Sequence, residues 1–170
     1  CDQSAREHTL DALQKQTGAT IVHPFDDAAV IAGQGTAALE LVDQITELDT
    51  IIAPIGGGGL LAGTSLVAAV EAIEVVGAEP AGVDDSFRSL RDAVRYPATG
   101  DYSVGDGLLT GIGALPFAIL NAASRSVLTV SDQQILAAMR QVATRMKLVV
   151  EPSAAAAVSV LLAHRDVFRD

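Results

Sequence analysis

Four consecutive glycines, Gly56 to Gly59, lie between an apolar run of β character, "TIIAPI", and an apolar run with helical spacing, "LLAGTSLVAAVEAI". One or two glycines are enough to turn a strand into a helix. Four in a row mark a place where something comes very close to the backbone.

The same alternation of strand and helix patterns recurs along the chain. "SAREHTLDALQKQTG" predicts a helix with Ser4 as N-cap, Glu7 completing a capping box and Gly18 at the stop, and "ATIVHP" predicts a short strand after it. "QGTAALELVDQI" places Ala38, Leu41, Val42 and Ile45 on one helical face. "TIIAPI" is apolar on both faces, as a central parallel strand is, and "EVVGAE" supplies the next strand. From Pro80 to Gly113 the pattern weakens to one short helix around "DSFRSLRDAV" and a glycine-rich loop, of a length that often carries function. Order returns with a helix at "LPFAILNAA", a strand at "SVLTV" and a helix from "SDQQILAAMRQVATRM" capped by Ser131. A strand-like "LVVEP" then leads through Pro152 into an alanine-rich helix. The expectation is an α/β fold of three or four βα units, a parallel sheet flanked by helices.

The chain of 170 residues is 49% hydrophobic, enough to bury a substantial core. Its formal net charge of −10 argues against nucleic acid or an anionic membrane as partner, leaving a local patch or a helix N-terminus as a place for an anion. The single cysteine, Cys1, forms no internal disulfide, which fits a reducing compartment, and the polar start carries no secretion signal, so a cytoplasmic location is expected. Ile51 to Val70 is uncharged and long enough to span a bilayer, but Pro54, Gly56 to Gly59 and Gly63 speak against that reading.

Three readings of the glycines remain open on the residues alone. Backbone N–H groups of Gly56, Gly57, Gly58, Gly59 and Leu60 can cradle a single phosphate, helped by the dipole of the helix that follows. Gly57, Gly59 and Ala62 also satisfy a dinucleotide fingerprint, with Glu79 at the end of the next strand about 20 residues on. The third reading is a tight turn with close helix–strand packing. A nucleoside triphosphate loop is excluded, because no Lys-Ser or Lys-Thr pair follows the glycines.

Five segments taken together, "HPFDDAAVIAGQGTAALEL", "APIGGGGLLAG", "GAEPAGVDDSFRSL", "GDGLLTGIG" and "RMKLVVEPSAAAA", resemble the serine/threonine dehydratase and serine racemase family of fold-type II (tryptophan synthase β-like) pyridoxal 5′-phosphate enzymes. The resemblance implies that Gly56, Gly57, Gly58, Gly59 and the Leu60 amide bind the cofactor phosphate, with Glu151 close to the cofactor ring. It also implies a Mg²⁺ or Ca²⁺ site from the Glu79 and Asp85 carboxylates and the Val83 carbonyl; hard oxygen ligands suit such an ion. The resemblance also places Asp106 in the family's loop near the active site. Each of these has a plain structural counterpart: Glu79 ends a strand, Asp84 or Asp85 caps a helix, Glu151 enters a helix, and Asp106 sits in a turn. His23 and His164 read as a strand-end and a helix-end residue.

Family members use a Schiff-base lysine, and the two lysines here, Lys15 and Lys147, stand outside that motif. The substrate-carboxylate loop and the C-terminal serine that meets the pyridine nitrogen are missing too. The expectation is an interior piece, with residues 1–26 finishing the smaller domain and residues 27–170 belonging to the larger, cofactor-binding one, and inactive by itself. The intact parent would be a homodimeric lyase converting L-serine or L-threonine to a 2-oxo acid. A serine racemase or a 3-hydroxyaspartate dehydratase is the alternative within the family, and a dinucleotide-binding module of an oxidoreductase the alternative outside it.

Overall fold

The computed structural model describes the backbone of residues 3–168, with the side chains of residue 5 and residues 8–168. Three parallel strands, β1 (Thr50–Pro54), β2 (Glu74–Pro80) and β3 (Ser126–Val130), form one sheet in the order β1-β2-β3. Among the described residues seven α-helices accompany them: α1 (Gln3–Thr17), α2 (Ala28–Gln44), α3 (Gly59–Glu71), α4 (Asp85–Asp92), α5 (Ala114–Ala122), α6 (Asp132–Gln141) and α7 (Pro152–Ala163).

The strand period of two divides the core into two layers. Ile51, Ala53 and Val75 face α2, α3 and α5, where Ile31, Leu61, Ala68 and Leu120 meet them. Ile52, Val76 and Ala78 face α6 and α7, where Ile135, Ala155, Ala156 and Val160 fill the other side. The result is the expected parallel α/β arrangement. The central strand, however, is β2, whose residues from Val75 to Pro80 are all buried, while β1 lies at the edge and is mostly half-buried.

Two expected strands do not form. Residues 19–24 have no neighbouring strand among the described residues, and His23 turns the chain, its Nδ1 accepting the N–H groups of Asp26 at 2.9 Å and Phe25 at 3.4 Å. The "LVVEP" run also stays outside the sheet: Lys147 ends the preceding helical stretch at φ +60°, and Val149 is 97% exposed. Without a fourth strand to pair with, β-type residues gain nothing from an extended ladder.

Helix ends follow local chemistry where the sequence supplies it. Ser131 and Gln134 form a reciprocal capping box on α6, and Pro152 opens α7. Gly18 closes α1 at φ +70°, its N–H donating to the Gln14 carbonyl; the Ser4–Glu7 cap lies outside the described side chains. Helix α2 begins earlier than its periodicity predicts, because Asp27 Oδ1 accepts the N–H groups of Ala29 and Val30. Helices α2 and α3 cross at Gly35 and Gly63, where a Cβ on Gly63 would collide with the Ile31 carbonyl and come within 2.6 Å of the Gly35 nitrogen.

Candidate functional site

In a parallel sheet the loops leaving the C-terminal strand ends gather on one edge, which is where ligands bind. Here β1 runs into the glycines, while the end of β2 carries Glu79. The Ile55 N–H donates to the Ala78 carbonyl at 3.0 Å, bringing the two together.

The four glycines are buried, and each is shaped by protein atoms on its Cβ side. A Cβ on Gly57 would enter the Phe25 ring, and one on Gly59 would lie 3.0 Å from the Phe25 Cβ. One on Gly56 would come within 3.0 Å of the Leu108 Cα and 3.2 Å of Thr110 Oγ1; one on Gly58, which sits at φ +88°, within 2.9 Å of Pro116. Close packing therefore explains the absence of side chains. It leaves the amides unexplained. Helix α3 begins at Gly59 with no side-chain cap, and among the described residues the N–H groups of Gly56, Gly57, Gly58, Gly59 and Leu60 donate to no protein acceptor. Several unpaired amides in succession at a buried helix start are what an anion satisfies.

The long loop after α4 closes over this turn. The Gly113 N–H donates to the Gly57 carbonyl at 3.0 Å, and Ser153 at the start of α7 accepts the Gly107 N–H at 3.0 Å. Asp106 is exposed in a 3₁₀ turn. Glu151 is the exposed N-cap residue of α7 and makes no side-chain cap bond. His164 ends α7, its Nε2 3.0 Å from the Thr129 carbonyl. Lys15 is exposed on α1, and Lys147 Nζ donates to the Thr144 carbonyl at 2.7 Å.

Glu79, near the end of β2, and Asp85, the first residue of α4, are both 1% exposed, and the Asp85 charge acts on Glu79. The sequence predicts Asp84 or Asp85 as cap of α4; the cap is Glu79 instead, whose two oxygens accept the Ser86 N–H at 2.9 Å and the Phe87 N–H at 2.8 Å. Burial pushes the Glu79 carboxyl up to about 7 against the pull of those amides, with Asp85 adding to the push. Burial likewise raises Asp85 to about 6, opposed by the Ile112 backbone N–H. Asp85 Oδ2 has no hydrogen-bond partner. Both groups prefer the neutral form in the fold, so their stabilising contribution is complete below the ordinary carboxyl range and is lost as pH rises to about 6 for Asp85 and about 7 for Glu79. In metal-free buffer the melting temperature is expected to fall between pH 5 and pH 8. For Glu79 the shift corresponds to on the order of 3 kcal/mol. Glu79→Gln removes much of that slope in thermal melts across this range; an unchanged slope assigns it to other groups.

Among the described residues no three histidine, cysteine, aspartate or glutamate side chains come together as a metal cluster, so the Glu79–Val83–Asp85 set rests on two carboxylates and a carbonyl. A cavity of about 430 Å³ runs along β1 and α7, lined by Thr50, Ile52, Ala157 and Phe168, with Asp49 its one charged lining residue. It holds no group suited to the chemistry above. No helix among the described residues is long and apolar enough to cross a membrane.

A family model described as pyridoxal-phosphate dependent enzyme matches residues 2–170. The chain belongs to that family. It is 42% identical to the serine racemase of Dictyostelium discoideum over 170 residues, covering 98% of this chain and 52% of the relative. It is 38% identical to the beta-hydroxyaspartate dehydratase of Paracoccus denitrificans, over 97% of this chain and 53% of the relative. The crystal structure of the threonine deaminase of T.th. superposes with a TM-score of 0.93 at 39% identity, covering 98% of this chain and 57% of that one. These neighbours are fold-type II enzymes, and the three-stranded parallel sheet shares their architecture. The chain spans about half the length of the curated relatives it matches.

Family membership gives the unpaired amides a candidate partner. The cofactor of these enzymes carries one phosphate, and the five amides from Gly56 to Leu60 suit a single phosphate. The acceptor-free helix start is an observation that the sequence pattern alone does not give. What sequence reading missed is the "HPFDD" segment as architecture: Phe25 covers the glycines, Asp26 and Asp27 cap α5 and α2, and His23 holds the turn.

Proposed function

We propose that this chain forms the phosphate-holding part of a pyridoxal-phosphate-dependent enzyme acting on a small hydroxy amino acid, with dehydration of L-serine or L-threonine to a 2-oxo acid and ammonia as the reaction. The observation that supports this most strongly is the row of buried, unpaired amides at the start of α3. When bound, the cofactor supplies an electron sink for deprotonation at the substrate α-carbon. The amides of Gly56 to Leu60 fix its phosphate and so its placement, and the protein atoms packed on the glycines keep that backbone rigid. Glu151, exposed at the α7 start, is the side chain assigned to the ring side of the cofactor.

Lys15 is exposed on α1 and Lys147 Nζ is held on the Thr144 carbonyl, so neither is assigned the Schiff-base role, and the 170-residue chain is proposed to bind without turnover. Glu79, Asp85 and the Val83 carbonyl are proposed to take a divalent cation, with the partnerless Asp85 Oδ2 as the supporting observation. Millimolar Mg²⁺ or Ca²⁺ is then expected to raise the melting temperature more at pH 8 than at pH 5.

Racemisation is the second reading, favoured by the likeness to serine racemases. The native gene product carrying this sequence tests both. Cofactor-dependent release of ammonia and a 2-oxo acid from L-serine or L-threonine supports the proposal, D-serine formation without ammonia assigns the racemase, and consumption of 3-hydroxyaspartate alone assigns the third activity. Enhanced NADH fluorescence on mixing overturns the phosphate reading in favour of a dinucleotide.

A further inference from the structure

Resting on the phosphate reading above, we infer that Asp26 is a positioning residue that aims the phosphate-binding amides from outside the glycine turn. Its carboxylate accepts the Ala114 N–H at 3.0 Å through Oδ2 and the Leu115 N–H at 2.7 Å through Oδ1, capping α5 from a segment 88 residues earlier in the chain. These bonds fix the residue just before, Gly113, whose own Cβ position is filled by Asp26 at 2.9 Å. Gly113 in turn donates its N–H to the Gly57 carbonyl at 3.0 Å.

That single bond sets an orientation. No peptide in the described chain is cis, so the Gly57 carbonyl and the Gly58 N–H of the same peptide plane point in opposite directions. Holding the carbonyl on Gly113 directs the Gly58 amide to the other side. The next carbonyl, that of Gly58, is held by the Ala62 N–H at 2.9 Å, which directs the Gly59 amide in the same way. Helix α3 secures the second plane by its own ladder, whereas the first depends on Gly113 and through it on Asp26. Glycine at 57 and 58 makes this necessary, since neither residue has a side chain to restrict rotation of the plane between them.

Asp26 acts on the amides through Gly113, so the readout has to be the phosphate contribution and not stability alone. Pyridoxal 5′-phosphate and phosphate-free pyridoxal are titrated into the 170-residue chain by fluorescence, and amide exchange of Gly113 is followed by NMR. In Asp26→Ala the preference for the phosphorylated compound falls by roughly tenfold or more, and Gly113 exchange accelerates; Asp26→Asn, keeping one acceptor oxygen, lies between. Asp27→Ala, which removes the equivalent cap from α2, serves as the stability control and keeps the preference within about twofold. An unchanged preference in both Asp26 variants overturns the inference while leaving the phosphate reading standing. A wild-type chain that does not discriminate the two compounds overturns the phosphate reading, and this inference with it.

Discussion

Gly63→Ala is expected to cost about 3 kcal/mol, near the upper end for overpacking a tight interior, and to lower the melting temperature by roughly 10 °C. The cause lies in backbone, which cannot step aside as a side-chain tip can. A methyl at position 63 meets the Ile31 carbonyl and the Gly35 nitrogen of α2, and the two helices have to separate to admit it. Separation opens the layer formed by Ile31, Leu61 and Ala68 over the sheet. Gly33→Ala on the same helix pair makes the internal control: nothing lies within 4 Å of its Cβ, so the gain in helix propensity of roughly 0.5–1 kcal/mol is unopposed. Urea denaturation of the two variants gives effects of opposite sign. Equal behaviour contradicts the close crossing of α2 and α3.

The second large effect separates packing from binding at the glycine turn. Gly57→Ala drives its methyl into the Phe25 ring and is expected to destabilise by about 1–3 kcal/mol in the absence of any ligand. Phe25→Ala also destabilises, since the ring covers the turn and stacks edge-on against His23 at 4.6 Å between centroids. In the double variant the space vacated by the ring takes the new methyl, so the two costs do not add. A coupling energy of roughly 1 kcal/mol or more in a double-mutant cycle is the expected result. Full additivity contradicts the contact. A Gly57→Ala variant with unchanged ligand-free stability assigns that glycine to the ligand alone.

The layered fold was largely legible because its signal is periodicity. "TIIAPI", "EVVGAE" and "SVLTV" became strands, and the helices between them formed where their apolar spacing placed them. Most of the misses share one cause: they depend on parts of the fold outside the local segment. "ATIVHP" and "LVVEP" have strand composition, but a strand exists only against a partner, and none of the described residues supplies one. Helices α3 and α4 end on Ala72 at φ +57° and Ala93 at φ +53°, left-handed positions that sequence marks with glycine more readily than alanine. Glu79 caps α4 from a strand, and Asp26 caps α5 across 88 positions, so no local motif announces either. The glycines were legible as a site of close approach. Which atoms approach, Phe25 and Leu108 on the Cβ side, only the packing discloses.

The cofactor reading and the inference drawn for Asp26 both depend on the amides that open α3 holding a phosphate. A two-dimensional ¹H–¹⁵N titration of the 170-residue chain with pyridoxal 5′-phosphate, and with inorganic phosphate in parallel, tests this directly. Saturable shifts are expected, largest at the N–H groups of Gly57, Gly58, Gly59 and Leu60 and shared by both ligands, with the amides of Ser86 and Phe87 unmoved because Glu79 already occupies them. Shifts confined to other parts of the chain, or no saturable shift at the glycine turn, would contradict it.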